Sequence, residues 1–596
     1  MSVSVVKKQG GDFLLAKSDV SDVYTVEFKS EEAGFIQESV KQFLSSEVHA
    51  RLEEMESPKG IELTPQLLKQ AGELGFLGLE VPEILGGIDL SFKDTLHFVE
   101  EICKGLSFSG AIGVQTSIGI APILLYGSDY LKQKYLPSMM EGKLLSAFSL
   151  TEPNAGSDAN AGKTRAIIDK ASNVYVINGQ KAWISNAGIA DMFIVFAKIE
   201  DDRNLSAFVV EKSFGGITIG AEEKKMGLSG WSTCQVFFDD VRVPKENLLG
   251  IRNEGLKIAL NTLNTGRMKL GVSGMSNSKV AIDCAVNYAK ERHQFGKSIS
   301  EFGAIQDKLA KMVVKTFALE SLVYRAAHDI DTFRDMLSAK GAEYSVAKID
   351  SLKEYRIECA ITKVFGSEVQ DFVVDEGLQI YGGMGYSAEA PMERLYRSAR
   401  ISRIYEGTNE INRLVIVKEF LKKGMKGELD IFTTFTTAMA EIETPLATIA
   451  DTDILGQCEQ CIENLKLLTI MTAVKSAQKF MQRMAEEQEL SMHIADMIIN
   501  VYALESAVLR IRKLQNEGKL QENAVHFDIL QVLTFDTVNS IAQSAHEVIA
   551  CFEEVEDSTT ISKALEKYAW LPQRNIKKLR RNIAAHLIEK ECYNFG

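Results

Sequence analysis

Tyr405-Glu406-Gly407-Thr408 sets a single carboxylate directly before a glycine and a helix-capping threonine. Thr408 suits an N-cap, and Glu410 falls in the first turn, where negative charge complements the helix dipole. Glu406 is therefore expected in the turn before a helix, with Gly407 letting backbone or ligand pass close beside it. A carboxylate placed that way can serve as a general base. Taken alone, the same pattern describes a solvated glutamate, because Glu is mostly exposed. Two other segments hold residues with chemical potential. FSLTEPNAGSD (148–158) is rich in small and hydroxylated side chains that let backbone amides approach a planar ring or a phosphate chain. In ERHQFGK (291–297), Arg292 offers a permanently charged fork suited to phosphate. The bland readings are an ordinary turn and a lone surface arginine.

These segments must be held by a substantial fold. The chain has 596 residues, 45% hydrophobic and 25% charged, enough for several domains and a large core. A net charge of −14 argues against nucleic acid as the main partner. No apolar run is read as reaching a membrane span, and the start MSVSVVKKQGGDFLL carries no signal-peptide core, so a cytoplasmic location is expected. Cys458 and Cys461 form a CxxC in a helical pattern without a second pair or a histidine, so neither a metal site nor a structural disulfide is expected.

Hydrophobic periodicity gives the order α–β–α. Residues 30–145 read as a helical domain, with an apolar stripe of Phe35, Ile36, Val40, Phe43 and Leu44 and a second helix entered at Pro65 through an N-cap at Thr64. Residues 146–253 alternate at period two, with Asn178-Gly179 as a hairpin signal, and read as a mostly antiparallel β domain. Residues 254–422 return to long helices interrupted at 291–299 and 378–394. The GGMG in the second interruption follows no strand, which excludes a dinucleotide fingerprint. Lys422–Gly427 reads as a linker, and 428–596 as a further helical domain with stripes Ile462, Leu465, Leu468 and Met497, Val501, Leu504, Val508. The class is α+β.

In this order, FSLTEPNAGSD, QKAWISNAG, ERHQFGK, QIYGG and YEGTNE closely resemble the acyl-CoA dehydrogenase family over roughly 30–420. The C-terminal block and the GGDFLL start are similar to its very-long-chain subgroup. The resemblance implies FAD as cofactor and oxidation of acyl-CoA thioesters at Cα–Cβ, with Glu406 taking the α-proton while the β-hydride goes to flavin N5. It places Phe148, Ser149, Leu150, Thr151, Gly156 and Ser157 along the isoalloxazine, with Ser157 also toward the substrate. Trp183 would cover the dimethylbenzene side, Ile184 would also belong to the cofactor-binding set, and the Ser185 hydroxyl would donate near N5. Arg292 with Gln379, Ile380, Tyr381, Gly382 and Gly383 would reach the FAD of a second subunit, which implies a homodimer. Thr408, Asn409 and Glu410 would face the flavin, and Gly407, Asn264 and Arg267 the substrate. A minority of the family carries its base where this chain has Gly266, so Glu406 has no rival there. At Gly303 the chain lacks a glutamine that relatives often use to contact FAD. The expected electron acceptor is an electron-transfer flavoprotein. An acyl-CoA oxidase and a non-catalytic flavin-binding relative are the alternatives. The basic segment RNIKKLRR (574–581) reads as a solvated helix face, so membrane attachment is expected to be peripheral at most.

Overall fold

The computed structural model describes residues 9–447, 449–521 and 524–596; residues 1–8 of the N-terminal stretch read above lie outside it. The chain divides into two compact units. One comprises Ser30–Lys269 and Ile330–Lys353; the other comprises the N-terminal stretch through Lys29, Leu270–Asp329 and Glu354–Gly596.

Helices open the first unit. Glu31–Phe43, Pro58–Glu73 and Phe92–Ile102 each start behind a serine, Ser30, Ser57 or Ser91, whose side chain accepts a first-turn N–H. The expected start at Pro65 is thus corrected. Ser57 followed by Pro58 is the better entry, and Thr64 lies inside the helix, donating its hydroxyl to the Gly60 carbonyl at 2.7 Å. The first stripe also needs correction. Val40, Phe43 and Leu44 are buried, but Phe35 stands 76% exposed, because the buried face runs through Ala33, Val40 and Leu44 at helical spacing. Ser107–Tyr126 matches a membrane span by length and mean hydropathy (20 residues, 1.5), contrary to the expectation that no run would. It is a core helix here, with 67% of that window buried inside the protein.

The sheet of this unit has eight strands. They are β1 (Ser146–Ser149), β2 (Arg165–Asp169), β3 (Val174–Ser185), β4 (Met192–Ile199), β5 (Ser206–Glu211), β6 (Ile217–Glu222), β7 (Thr233–Pro244) and β8 (Leu248–Leu249). The order is β6-β7-β3-β2-β4-β5-β8, with β1 added beside β4; β1 and β2 run parallel to β4 and the other pairs are antiparallel. One face buries Phe193, Val195, Phe208, Val236 and Phe238 in a common core. Asn178-Gly179 makes no hairpin. It lies within β3 at a break of register against β7, and a Cβ at Gly179 would meet the Thr164 side chain at 2.5 Å. Glycine answers a close approach there rather than a turn.

In the second unit, helices Arg356–Tyr381 and Asn409–Met425 pack together and five further helices follow between Ile454 and Lys590. The proposed linker is not one. The helix continues to Met425, Gly424 packs against Ile431, and Lys423 is buried, bonding the Gly10 carbonyl and the Glu354 carboxylate at 2.7 Å each. Arg510, 1% exposed, ties the unit's ends together by pairing with Glu27 and Glu320 and reaching the Phe595 carbonyl. Near the same N-terminal stretch, Gly11 donates its N–H to Glu358 at 2.7 Å, and burial pushes this carboxyl up to about 8. A raised folded-state value means that stability from this group is complete below its ordinary 4.5 and declines as pH rises through about 8. Glu358→Gln should therefore leave the unfolding midpoint nearly unchanged at about pH 4.5 and add on the order of 2 kcal/mol at about pH 8.5, read by denaturant unfolding at both values.

Candidate active site

The residues expected around a flavin fall into two groups, one in each unit. In the first, the Thr-Glu-Pro turn after β1 is fastened to the end of β3. Lys181, without exposed surface, donates to Glu152 and to the Phe196 carbonyl at 2.7 Å each and to the Leu150 carbonyl at 3.2 Å. Glu152 also accepts the backbone N–H groups of Lys163 and Thr164. Burial alone would raise Glu152, yet the Lys181 charge and these hydrogen bonds hold it below the ordinary carboxylate range, while burial pulls Lys181 down to about 8. The Ala182 N–H donates to the Thr151 carbonyl at 3.0 Å, so the two motifs share one hydrogen-bonded ladder.

This fastening decides what faces outward. Ile184 is buried and Ser185 half-buried, whereas Trp183 is 60% exposed with φ of 60°, a left-handed conformation that non-glycine residues rarely adopt. Gly156 and Ser157 lie exposed on the loop, while Phe148, Leu150 and Thr151 are half-buried. Ser149 is buried, and its hydroxyl has no partner among the described residues. Asn264 and Arg267 are buried in helix Gly255–Glu291 and bond each other at 3.0 Å. Thr265, between them, lines a cavity walled by Phe76, Leu79, Phe98, Ile120 and Leu124.

The second group centres on Glu406. Thr408 caps helix Asn409–Met425 as expected, its hydroxyl accepting the Ile411 N–H. Glu406 and Gly407 both take left-handed backbone, φ 57° and 85°. Glu406 is half-buried and its Oε2 fully so. The turn is held from within: Lys363, without exposed surface, donates to the Gly407 carbonyl at 2.8 Å and to Asn409 Oδ1 at 2.6 Å, and Asn412 donates to the same carbonyl at 2.8 Å. Asn409 points inward, toward Ser367 and Glu368. Hydrogen bonds from its own backbone and from Thr408 hold Glu410 below the usual carboxylate range. Arg292 and Gln379 are exposed, as are Gly382 and Gly383, where an added Cβ would meet nothing. Tyr381 stacks on Tyr288 at 4.1 Å, and the Ile380 side chain faces the core.

Comparison with known proteins decides the lineage. The N-terminal, middle and C-terminal domain models of acyl-CoA dehydrogenase match residues 30–143, 147–241 and 253–421, and a further acyl-CoA dehydrogenase C-terminal model matches 464–567. A probable acyl-CoA dehydrogenase of Bacillus subtilis (strain 168) is 38% identical over 591 residues, 98% of either chain. The chain belongs to the acyl-CoA dehydrogenase family. The rat mitochondrial very long-chain specific acyl-CoA dehydrogenase is 36% identical across 75% of this chain and 70% of its own length. A crystal structure of an acyl-CoA dehydrogenase complexed with FAD from Bacillus anthracis superimposes with a TM-score of 0.95 at 39% identity, over 99% of this chain and all of that one.

As an acyl-CoA dehydrogenase, the protein owes its site to residues that the motifs did not single out. Lys181 and Glu152 lay inside the quoted phrases, and only their pairing was invisible. Lys363 and Asn412 carried no signal beyond helical spacing. Lys363→Met would leave the Gly407 carbonyl short of its ammonium donor and loosen Glu406. Turnover of acyl-CoA should fall ~10–10²-fold with a loss of ~1–3 kcal/mol in stability, read from kcat and a melting curve. Wild-type kcat in a folded variant would refute the clamp.

Proposed function

We propose that the protein is a cytoplasmic, FAD-dependent acyl-CoA dehydrogenase that converts long-chain acyl-CoA to trans-2-enoyl-CoA in fatty acid β-oxidation. One observation carries this reading: a carboxylate, Glu406, held in a left-handed turn by a buried lysine inside a chain of this family. The thioester makes the α-hydrogen acidic, and Glu406 accepts that proton. With Oε2 already buried, an apolar acyl chain laid over the rest would strengthen the base by desolvation. The Glu406 amide N–H, as in the family, polarises the thioester oxygen and stabilises charge that develops there. FAD, when bound, supplies the acceptor for the β-hydride.

The residues present fit such a group. An indole 60% exposed and strained outward suits a large planar ring, and the partnerless Ser149 hydroxyl can serve a polar one. Open space beside Gly156, and separately beside Gly382 and Gly383, admits close backbone approach. Exposed Arg292, together with Phe295 at 92% and Tyr386 at 87% exposed, suits a homodimer in which this surface meets a second copy. The acceptor of electrons is an electron-transfer flavoprotein; stoichiometric hydrogen peroxide per turnover would reassign the enzyme as an oxidase.

Glu406→Gln keeps the shape and the backbone N–H but removes the proton acceptor. It should retain bound flavin and bind substrate, while kcat falls ~10²–10⁴-fold with KM little changed. Flavin bleaching by the variant near the wild-type rate would move the base elsewhere. The chain-length reading is tested with an acyl-CoA series under anaerobic conditions. The apolar cavity should give kcat/KM for palmitoyl-CoA at least ~10-fold above butyryl-CoA, since each buried methylene contributes about 0.8 kcal/mol; the reverse order would overturn it.

A further inference from the structure

The cavity in the first unit is lined mainly by apolar side chains, with four hydroxyl-bearing and three charged residues among them. Glu80, Lys269 and Lys348 all line it. Glu80 accepts Lys269 on Oε1 at 2.6 Å and Lys348 on Oε2 at 2.7 Å, so one carboxylate is shared by two ammonium groups. The side chains are 17%, 12% and 7% exposed, respectively. Lys348 is further steadied over the Phe92 ring, and the Tyr344 hydroxyl fixes the Glu80 carbonyl. The wall therefore carries one positive charge in excess, in a place where charge is costly unless paired.

A separate feature of the same wall is Ser117. It is 5% exposed, and its hydroxyl has no partner among the described residues. Neighbouring Thr116 and Thr95 donate their O–H groups to the Ile112 and Ser91 carbonyls, so of these three Ser117 keeps an O–H to donate to a guest. A plain hydrocarbon tail would use neither the excess charge nor this hydroxyl.

We propose that this cavity accepts acyl chains ending in a carboxylate, so that ω-carboxyacyl-CoA is a substrate class of the enzyme, with Lys269 as the specificity-determining cation. The inference rests on the acyl-CoA dehydrogenase reading and on the acyl tail entering beside Thr265. Lys269 is assigned this part because it is the less buried of the two cations that share Glu80. The terminal carboxylate would restore neutrality among the three groups. The chemistry at Cα–Cβ is unchanged.

The test is anaerobic flavin reduction by the holoenzyme, using matched plain and ω-carboxy acyl-CoAs at the chain length that the plain series favours. Wild-type enzyme should reduce its flavin with the ω-carboxy form at a kcat/KM within about 10-fold of the plain form. A wholly apolar pocket would reject the ionised end by ~10³-fold or more. Lys269→Met should lower the ratio of ω-carboxy to plain kcat/KM by ~10–100-fold, the loss expected for a hydrogen bond to a charged group. Lys269→Arg should keep that ratio within about threefold, the spread of a retained charge. A wild-type enzyme that uses the plain series but rejects the ω-carboxy form overturns this inference alone, as does a Met variant in which both substrates fall together. Failure to reduce the flavin with either series would bring down the underlying function as well.

Discussion

A buried ammonium needs acceptors, and a strained turn needs donors; the site depends on the meeting of the two at Lys363. Left-handed backbone at a non-glycine residue costs ~1–3 kcal/mol, so Glu406 would relax to ordinary geometry if nothing held it. Lys363 and Asn412 bind the Gly407 carbonyl, and Asn409 completes the cage. The clamp extends outward through Arg413, which grips Glu368 with two nitrogens and reaches Asp496 in helix Gln488–Asn516. That contact gives the C-terminal block a mechanical part: it braces the helix whose first turn follows Glu406.

The loop after β1 uses the same physics. Lys181 and Glu152 are taken out of water to bolt Thr151 to Ala182, and Trp183 is then forced outward. Buried pairs of this kind contribute little net stability compared with a well-packed apolar replacement. Their value here is placement, since each fixes backbone atoms that an apolar contact would leave free to slide. Glu80 with Lys269 and Lys348 differs from these pairs in one respect, because its two cations outnumber its one anion on the cavity wall.

What the sequence discloses follows from how local each cause is. Thr408 as a cap, the period-two run at 235–238 in β7 and the stripes of the last helices depend on neighbours a few residues away, and all are seen in the structure. The run at 192–197 in β4, by contrast, is buried on both faces and does not alternate. Glu406 stood out through its phrase, but its left-handed backbone did not, because that conformation is imposed by Lys363, 43 positions earlier in the chain. The misreadings share one cause. Asn178-Gly179 carries hairpin chemistry, yet Thr164 from another segment crowds Gly179 and turns the pair into a bulge. Lys422–Gly427 has a linker's composition, yet distant Glu354 and Gly10 recruit Lys423 into the interior. Phe35 and Ile36 sit off the buried face that runs through Ala33, Val40 and Leu44, and an apolar side chain alone did not place them on it.

The central claim is that Glu406, so held, removes a proton from the α-carbon. The most direct measurement isolates that step from hydride loss. An acyl-CoA whose β-carbon is replaced by sulfur cannot be oxidised across Cα–Cβ, but its α-hydrogens remain acidic. Incubated with the enzyme in heavy water and recovered for mass spectrometry, it should gain deuterium at the α-carbon with the wild-type protein and not with Glu406→Gln. Exchange by the glutamine variant at the wild-type rate would contradict the account.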